Sequence, residues 1–359
     1  MSYKTLQSNP TEAALETWRP SLFTGKQDGN HMILGYAVID TKIIVLAVIL
    51  LFLCLVAVVG NGIITATLGM SWLLQRTLSP CDKLLVSLGA SRFFLQWVVI
   101  CRNIYIFLHP TVFPYNNVLR FLAIHWDFLS AVTLWFSTWL SVFYCVKITT
   151  FTHPVFLWLK CRVSRWVPWM LLSSVGFSAL STILLFMGNQ SIYQNYLRMD
   201  GQSWNVTGNN MRSSCEKFYL FPIKAITWLV PTLIFLICMV LLLTSLGRHT
   251  KKVLLSLSGS QDPSAQAHIK ALLALISFAV LFTSYSLSVM LAATGIFPSQ
   301  EFRYWVWQVL IYLCTAVHPF ILLCTNHKLK AVLGKGCCSR NGASGAAADG
   351  HLGGMGAAR

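Results

Sequence analysis

Charge is what this chain has least of. Asp, Glu, Lys and Arg make up 11% of its 359 residues, whereas soluble domains carry about one quarter. So few charges cannot clothe a water-facing surface of this size, and an ordinary soluble protein is excluded. Acids are scarcer still, 11 Asp and Glu against 27 Lys and Arg, and Asp127 is the only acidic residue well inside an apolar run. A carboxylate dyad therefore lacks its second member. No H-E-x-x-H or G-x-S-x-G occurs and the 9 histidines are scattered, so an enzyme is not expected and no cofactor or metal is implied. There is no internal repeat with matched Gly/Pro breaks in two halves, which argues against a transporter, the main alternative function along with a channel. The first 42 residues hold no short apolar segment ahead of a small-residue cleavage site, so the first apolar run is expected to be its own insertion signal.

What is abundant is apolar surface: 55% of the chain is hydrophobic, with a mean hydropathy of +0.63. About 20 apolar residues span a hydrocarbon core of about 30 Å at 1.5 Å per residue. Seven such runs stand at 43–69, 83–107, 118–146, 166–188, 218–246, 268–294 and 304–325. An all-α membrane protein follows, a seven-transmembrane helix bundle over 43–325 with an N-terminal segment 1–42 and a tail 326–359. Met32 stands just before "ILGYAVIDTK", so residues 1–31 are either part of the protein or an upstream extension.

The net charge of +16 does not collect into one basic patch, and nucleic acid is not an expected partner. Instead the cations alternate between loops. Arg76 and Lys83, then Lys147, Lys160, Arg162 and Arg165, then Arg248, Lys251, Lys252 and Lys270 mark three richer loops, and the tail adds Lys328, Lys330, Lys335 and Arg340. Cation-rich loops stay cytoplasmic, which puts the C-terminus inside and the N-terminus outside. Two sequons, at Asn189 and Asn205, fall in the loop after the fourth run, on the outer side by this count. Asn189 lies close to the membrane, so Asn205 is the better glycan acceptor. Of the 11 cysteines, Cys54, Cys145, Cys238, Cys314 and Cys324 lie in apolar runs and read as small hydrophobes. A Cys101–Cys215 bridge has no support from spacing. Cys337 and Cys338 are either palmitoylated or free thiols.

Polar side chains inside the runs must face the bundle interior, where partners exist. Gly60, Asn61 and Gly62 place an amide between two residues small enough for close helix approach. Arg92, in "LLVSLGASRFFLQW", needs a partner inside the bundle, and Asn61 with carbonyls of the seventh span is the expected set. The two read first as a packing network, which can also act as a bistable switch. The stretch "DPSAQAHIKALLALISFAVLF" opens with Asp262 and Pro263, a helix start. A helix from Pro263 to Thr294 is about 48 Å long, too long for the bilayer, so His268 and Lys270 sit at the inner rim beside Arg248 and His249.

Four stretches carry a family resemblance: "LLVSLGASRFFLQW" (84–97), "STWLSVFYCVKITTFTHPVFLWLK" (137–160), "SLGRHTKK" (245–252) and "DPSAQAHIKALLALISF" (262–278). Over residues 32–333 the chain resembles the type 2 taste receptors, the bitter receptors among the G-protein-coupled receptors. The resemblance implies a plasma-membrane receptor, embedded in lipid, that binds bitter small molecules in an outer-half cavity and activates a gustducin-type heterotrimeric G protein. It implies that Trp126 and Ser130, with Asn103, Thr227, Tyr285, Ser288 and Gln308, line one ligand cavity. Ser130 stands where the family carries an asparagine. At the inner end, Tyr144 and Lys147 of "LSVFYCVKI" replace the acidic-arginine pair of rhodopsin-like receptors. Arg248, His249, His268 and Lys270 are then either snorkelling anchors or a latch released when the G protein docks. His318–Pro319 stands where the family shows His-Ser, allowing a bend. "NHKLKAVL" reads as an amphipathic helix on the inner leaflet.

Overall fold

The computed structural model describes residues 41–75, 78–109, 117–149, 154–198, 216–256, 263–293 and 302–325. They form seven long helices: α1 (Thr41–Gln75), α2 (Pro80–Leu108), α3 (Asn117–Ile148), α4 (Pro154–Arg198), α5 (Phe221–Ser256), α6 (Pro263–Ala293) and α7 (Phe302–Thr325). A π-helical turn, Glu216–Leu220, leads into α5. All seven are long and apolar enough to cross a membrane. The expected runs are found one for one.

Local chemistry sets several of the ends. Ser79 caps α2, its hydroxyl accepting from the Asp82 N–H at 3.1 Å, with Pro80 in the first turn. Pro154 and Pro263 likewise open α4 and α6. Pro168, Pro231 and Pro319 lie inside α4, α5 and α7 without ending them, which intramembrane helices tolerate because neighbouring groups satisfy the freed carbonyls.

The helices run far beyond the apolar stretches. α4 has 45 residues, about 68 Å at 1.5 Å per residue, where the sequence suggested 166–188. Its extension contains Asn189. That sequon therefore lies on a helix and not in a loop, a correction with a simple cause: polar residues that leave the bilayer do not have to leave the helix. Asn205, Cys215, Cys337, Cys338 and the amphipathic stretch from Asn326 lie outside the described residues, as do residues 1–40.

Packing proceeds from α1 to α2, α2 to α3, α3 to α5, α5 to α6, α6 to α7 and α7 back to α1, with α4 laid against α3. α3 is the central element, buried almost continuously from Ser130 to Val146. The pattern is polar inside and apolar outside. Asn61, Ser91, Arg92, Gln96, Thr133 and Ser137 are buried, while Val48, Phe52, Leu73, Trp169 and Leu233 are exposed. Only lipid tails make that arrangement favourable, since the outward side chains are solvated by hydrocarbon and the inward ones find partners.

Close approach of backbones completes the bundle. A Cβ on Gly60 would stand 2.8 Å from Pro319 Cβ, and one on Gly89 would stand 2.8 Å from Thr65 Oγ1. α1 can press against α7 and α2 only because those positions are bare.

Candidate functional site

α3 carries the site in three tiers on one stripe. Ser130, Ser137 and Tyr144 recur every seven residues, so they share a face and stand about two turns, roughly 10 Å, apart. Each meets a different cluster.

In the middle tier, Arg92 Nη1 of α2 and His318 Nδ1 of α7 are 2.6 Å apart, and Arg92 Nη2 donates to Ser137 Oγ at 3.4 Å. A guanidinium has donors only, so Nδ1 accepts and the imidazole is the neutral form with its proton on Nε2. Phe278 of α6 packs against the His318 ring at 4.8 Å between centroids. Thr133 donates to Ser91 at 3.1 Å, and Gln96 Nε2 donates to Thr315 Oγ1 at 3.0 Å. Arg92, Ser137 and His318 thus tie together α2, α3 and α7, whereas the network was expected to join the first, second and seventh spans. Asn61 is not its member: its Nδ2 donates to the Ala57 carbonyl at 2.8 Å in its own helix. The partner of Arg92 on α7 is an imidazole and not a carbonyl.

The outer tier is aromatic. Trp126 Nε1 donates to the Tyr312 hydroxyl at 3.2 Å. Its ring meets Trp228 edge to face at 6.1 Å, and Arg102 Cζ lies 5.6 Å from the ring centroid. Asp127, next in sequence, sits within the fields of Arg102 and Lys224. The buried Ser130 and Tyr285 hydroxyls have each other within reach but without a well-aligned hydrogen bond, and Trp228 Nε1 is buried without a partner. Unsatisfied buried polar groups cost roughly 1–3 kcal/mol each. The two hydroxyls, beside the Trp126–Trp228 contact, leave this place with unspent hydrogen-bonding capacity.

Not every expected lining residue converges there. Trp126, Ser130 and Tyr285 come together, with Gln308 buried one turn from Tyr312 on α7. Thr227 turns its hydroxyl to the Ile223 carbonyl of its own helix at 2.7 Å. The Ser288 carbonyl receives Trp307 Nε1 at 3.2 Å. Asn103 lines a separate cavity beside α1. Trp228, Tyr312 and Arg102 were missed by sequence reasoning. Tyr312 could have been found, since it follows Gln308 by four residues on one helix face.

In the inner tier, the Cys81 thiol donates to the Tyr144 hydroxyl at 3.4 Å, joining α3 to the start of α2. Lys147 Nζ donates to the Lys160 carbonyl at 3.1 Å, joining α3 to α4. Arg248 is exposed at the same end of the bundle. The backbones of His249, His268 and Lys270 are helical there, on α5 and α6, while their side chains lie outside the description.

Comparison with known proteins agrees with this architecture. The family model described as taste receptor protein (TAS2R) matches residues 38–339. Taste receptor type 2 member 60 of Pongo pygmaeus and that of Homo sapiens are each 65% identical over 315 residues, 88% of this chain and 99% of theirs. Taste receptor type 2 member 135 of Rattus norvegicus is 57% identical over 319 residues, 89% of this chain and 99% of its own. Such coverage takes in all seven helices and the three tiers of α3. The chain belongs to the taste receptor type 2 family and is a bitter receptor of the G-protein-coupled, seven-helix class, a multi-pass membrane protein and not an enzyme.

Proposed function

We propose that the protein binds bitter small molecules in the outer tier and activates a gustducin-type heterotrimeric G protein from the inner end. The agonist stacks on Trp126 and Trp228 and satisfies Ser130 and Tyr285. The observation that carries this reading is the buried Ser130–Tyr285 hydroxyl pair, without a well-aligned hydrogen bond, beside the Trp126–Trp228 aromatic pair. Amphipathic molecules with an aromatic or alicyclic body and one or two polar groups suit such a site.

The α3 stripe supplies the coupling. Ser130, Ser137 and Tyr144 ride on one rigid helix, so a shift imposed at the outer end reaches both the Arg92–His318 pair and the Cys81–Tyr144 contact. Packed networks of this kind switch between discrete arrangements and do not deform smoothly. The G protein docks at the inner end of the bundle, where Lys147 of α3, Arg248 and His249 of α5 and His268 and Lys270 of α6 fall in the chain. This orientation puts the N-terminus outside and the tail in the cytoplasm of the plasma membrane, consistent with the alternation of loop charge.

The test is calcium mobilisation in cells expressing the receptor with a gustducin-containing chimera, across a panel of bitter compounds and with ion-flux controls. A response that requires the chimera supports the reading. Ion flux independent of any G protein overturns it in favour of a channel or transporter.

A further inference from the structure

Arg102 of α2 lies over the Trp126 ring of α3, its Cζ 5.6 Å from the centroid. Its charge acts on Tyr312 of α7 as well as on Asp127 of α3, so the guanidinium projects into the outer tier and not into lipid. The side chain is half-buried, makes no hydrogen bond or ion pair among the described residues, and has none of its nitrogens sealed from contact. Lys224 of α5, also half-buried, stands one turn before Trp228 on the same helix face. Asp127 lies within the fields of both cations without forming an ion pair with either.

Asp82 and Asp127 are the only acids in the seven helices, and Asp82 stands in the first turn of α2, at the inner end. Two cations thus share one carboxylate around Trp126 and Trp228, and the tier carries a positive excess. Water can hydrate a half-buried guanidinium, but it brings no charge. A carboxylate or sulfonate does both: it accepts the parallel N–H bonds of the guanidinium fork, and it cancels a charge beside walls of low polarity, where the attraction is stronger than in water. A cationic ligand would instead meet two like charges.

Resting on the outer tier as the agonist site, we propose that Arg102 selects agonists bearing an anionic group, a carboxylate or sulfonate on an aromatic body. The anion takes the open donors of the guanidinium while the body packs against the indoles of Trp126 and Trp228. Lys224 adds attraction at longer range. Asp127 offsets one of the two cations while the site is empty.

The experiment uses the full chain in lipid nanodiscs with two photoprobes of one shape: 4-benzoylbenzoate, ionised at neutral pH, and its neutral amide, 4-benzoylbenzamide. Labelled peptides are mapped by mass spectrometry. Both probes are expected to label the segments 120–131 and 221–228, the acid at concentrations at least tenfold lower, as one charge-assisted contact supplies. In Arg102→Gln the acid is expected to fall to the level of the amide. Asp127→Asn, which removes the competing carboxylate, is expected to widen the gap. Equal labelling by acid and amide in the unaltered receptor would overturn the role of Arg102 and leave the outer tier as the agonist site, as would a gap that persists in Arg102→Gln or narrows in Asp127→Asn. Absence of both labels from these segments would overturn the agonist site along with it.

Discussion

Arg92 and His318, 226 positions apart in sequence, meet at 2.6 Å in the centre of the bundle. An arginine inside a membrane is costly unless partnered, and here its partner must present a lone pair. His318→Ala removes that acceptor and leaves part of the guanidinium unmatched. A loss of about 1–3 kcal/mol is expected, read as a lower melting temperature of detergent-purified receptor. His318→Gln, which restores an acceptor oxygen, is expected to recover most of it. Equal losses in both variants would refute the hydrogen bond.

Gly60 offers a steric test of the neighbouring seam. Its missing Cβ would lie 2.8 Å from Pro319 Cβ, whereas a Cβ on Gly69 would meet nothing within 4 Å. Gly60→Ala is expected to destabilise by about 1–3 kcal/mol through overpacking, and Gly69→Ala to be neutral or slightly stabilising, since alanine favours the helix. Thermal melting of the two variants side by side checks the contrast.

The two sequons are separable by mutation. Asn189 lies in α4, close to the membrane. Treatment with an endoglycosidase is expected to shift the gel mobility of the Asn189→Gln variant as it does that of the unaltered receptor. In Asn205→Gln the shift is expected to vanish. Loss of the shift in Asn189→Gln alone would reverse the assignment.

At the inner end, Tyr144 accepts from Cys81 and so fastens α3 to α2. Tyr144→Phe removes only that oxygen. If the contact holds the resting arrangement, basal signalling rises at equal surface density, and Cys81→Ala raises it as well. The same assay applied to His268→Ala distinguishes a latch from an anchor: altered basal or evoked signalling marks a latch, and unchanged signalling marks an anchor.

The seven spans were legible because each is an apolar run that lipid alone can solvate. Their ends were not, because a helix such as α4 continues into water on polar residues that carry no stop signal before Arg198. Arg92 announced itself by its charge. Ser137 did not, since a serine in an apolar run looks the same whether it packs against its own helix or receives a guanidinium. Trp228 was hidden for a similar reason: in sequence it is indistinguishable from Trp169, which is 70% exposed on the outer flank. The partnership of Asn61 was misjudged because an amide on a helix can always reach a carbonyl one turn back, here Ala57, and sequence does not say which option prevails.

The most direct test is an agonist concentration–response series on the unaltered receptor, Trp126→Ala and Ser130→Ala at matched surface density. Removing the indole takes away the aromatic face on which the ligand stacks, and at about 1.4 kcal/mol per factor of ten the half-maximal concentration is expected to rise at least tenfold. Ser130→Ala is expected to shift it severalfold for agonists with a polar group and little for those without. Unchanged half-maximal concentrations in both variants would contradict the account, because the outer tier of α3 would then not be where the agonist sits.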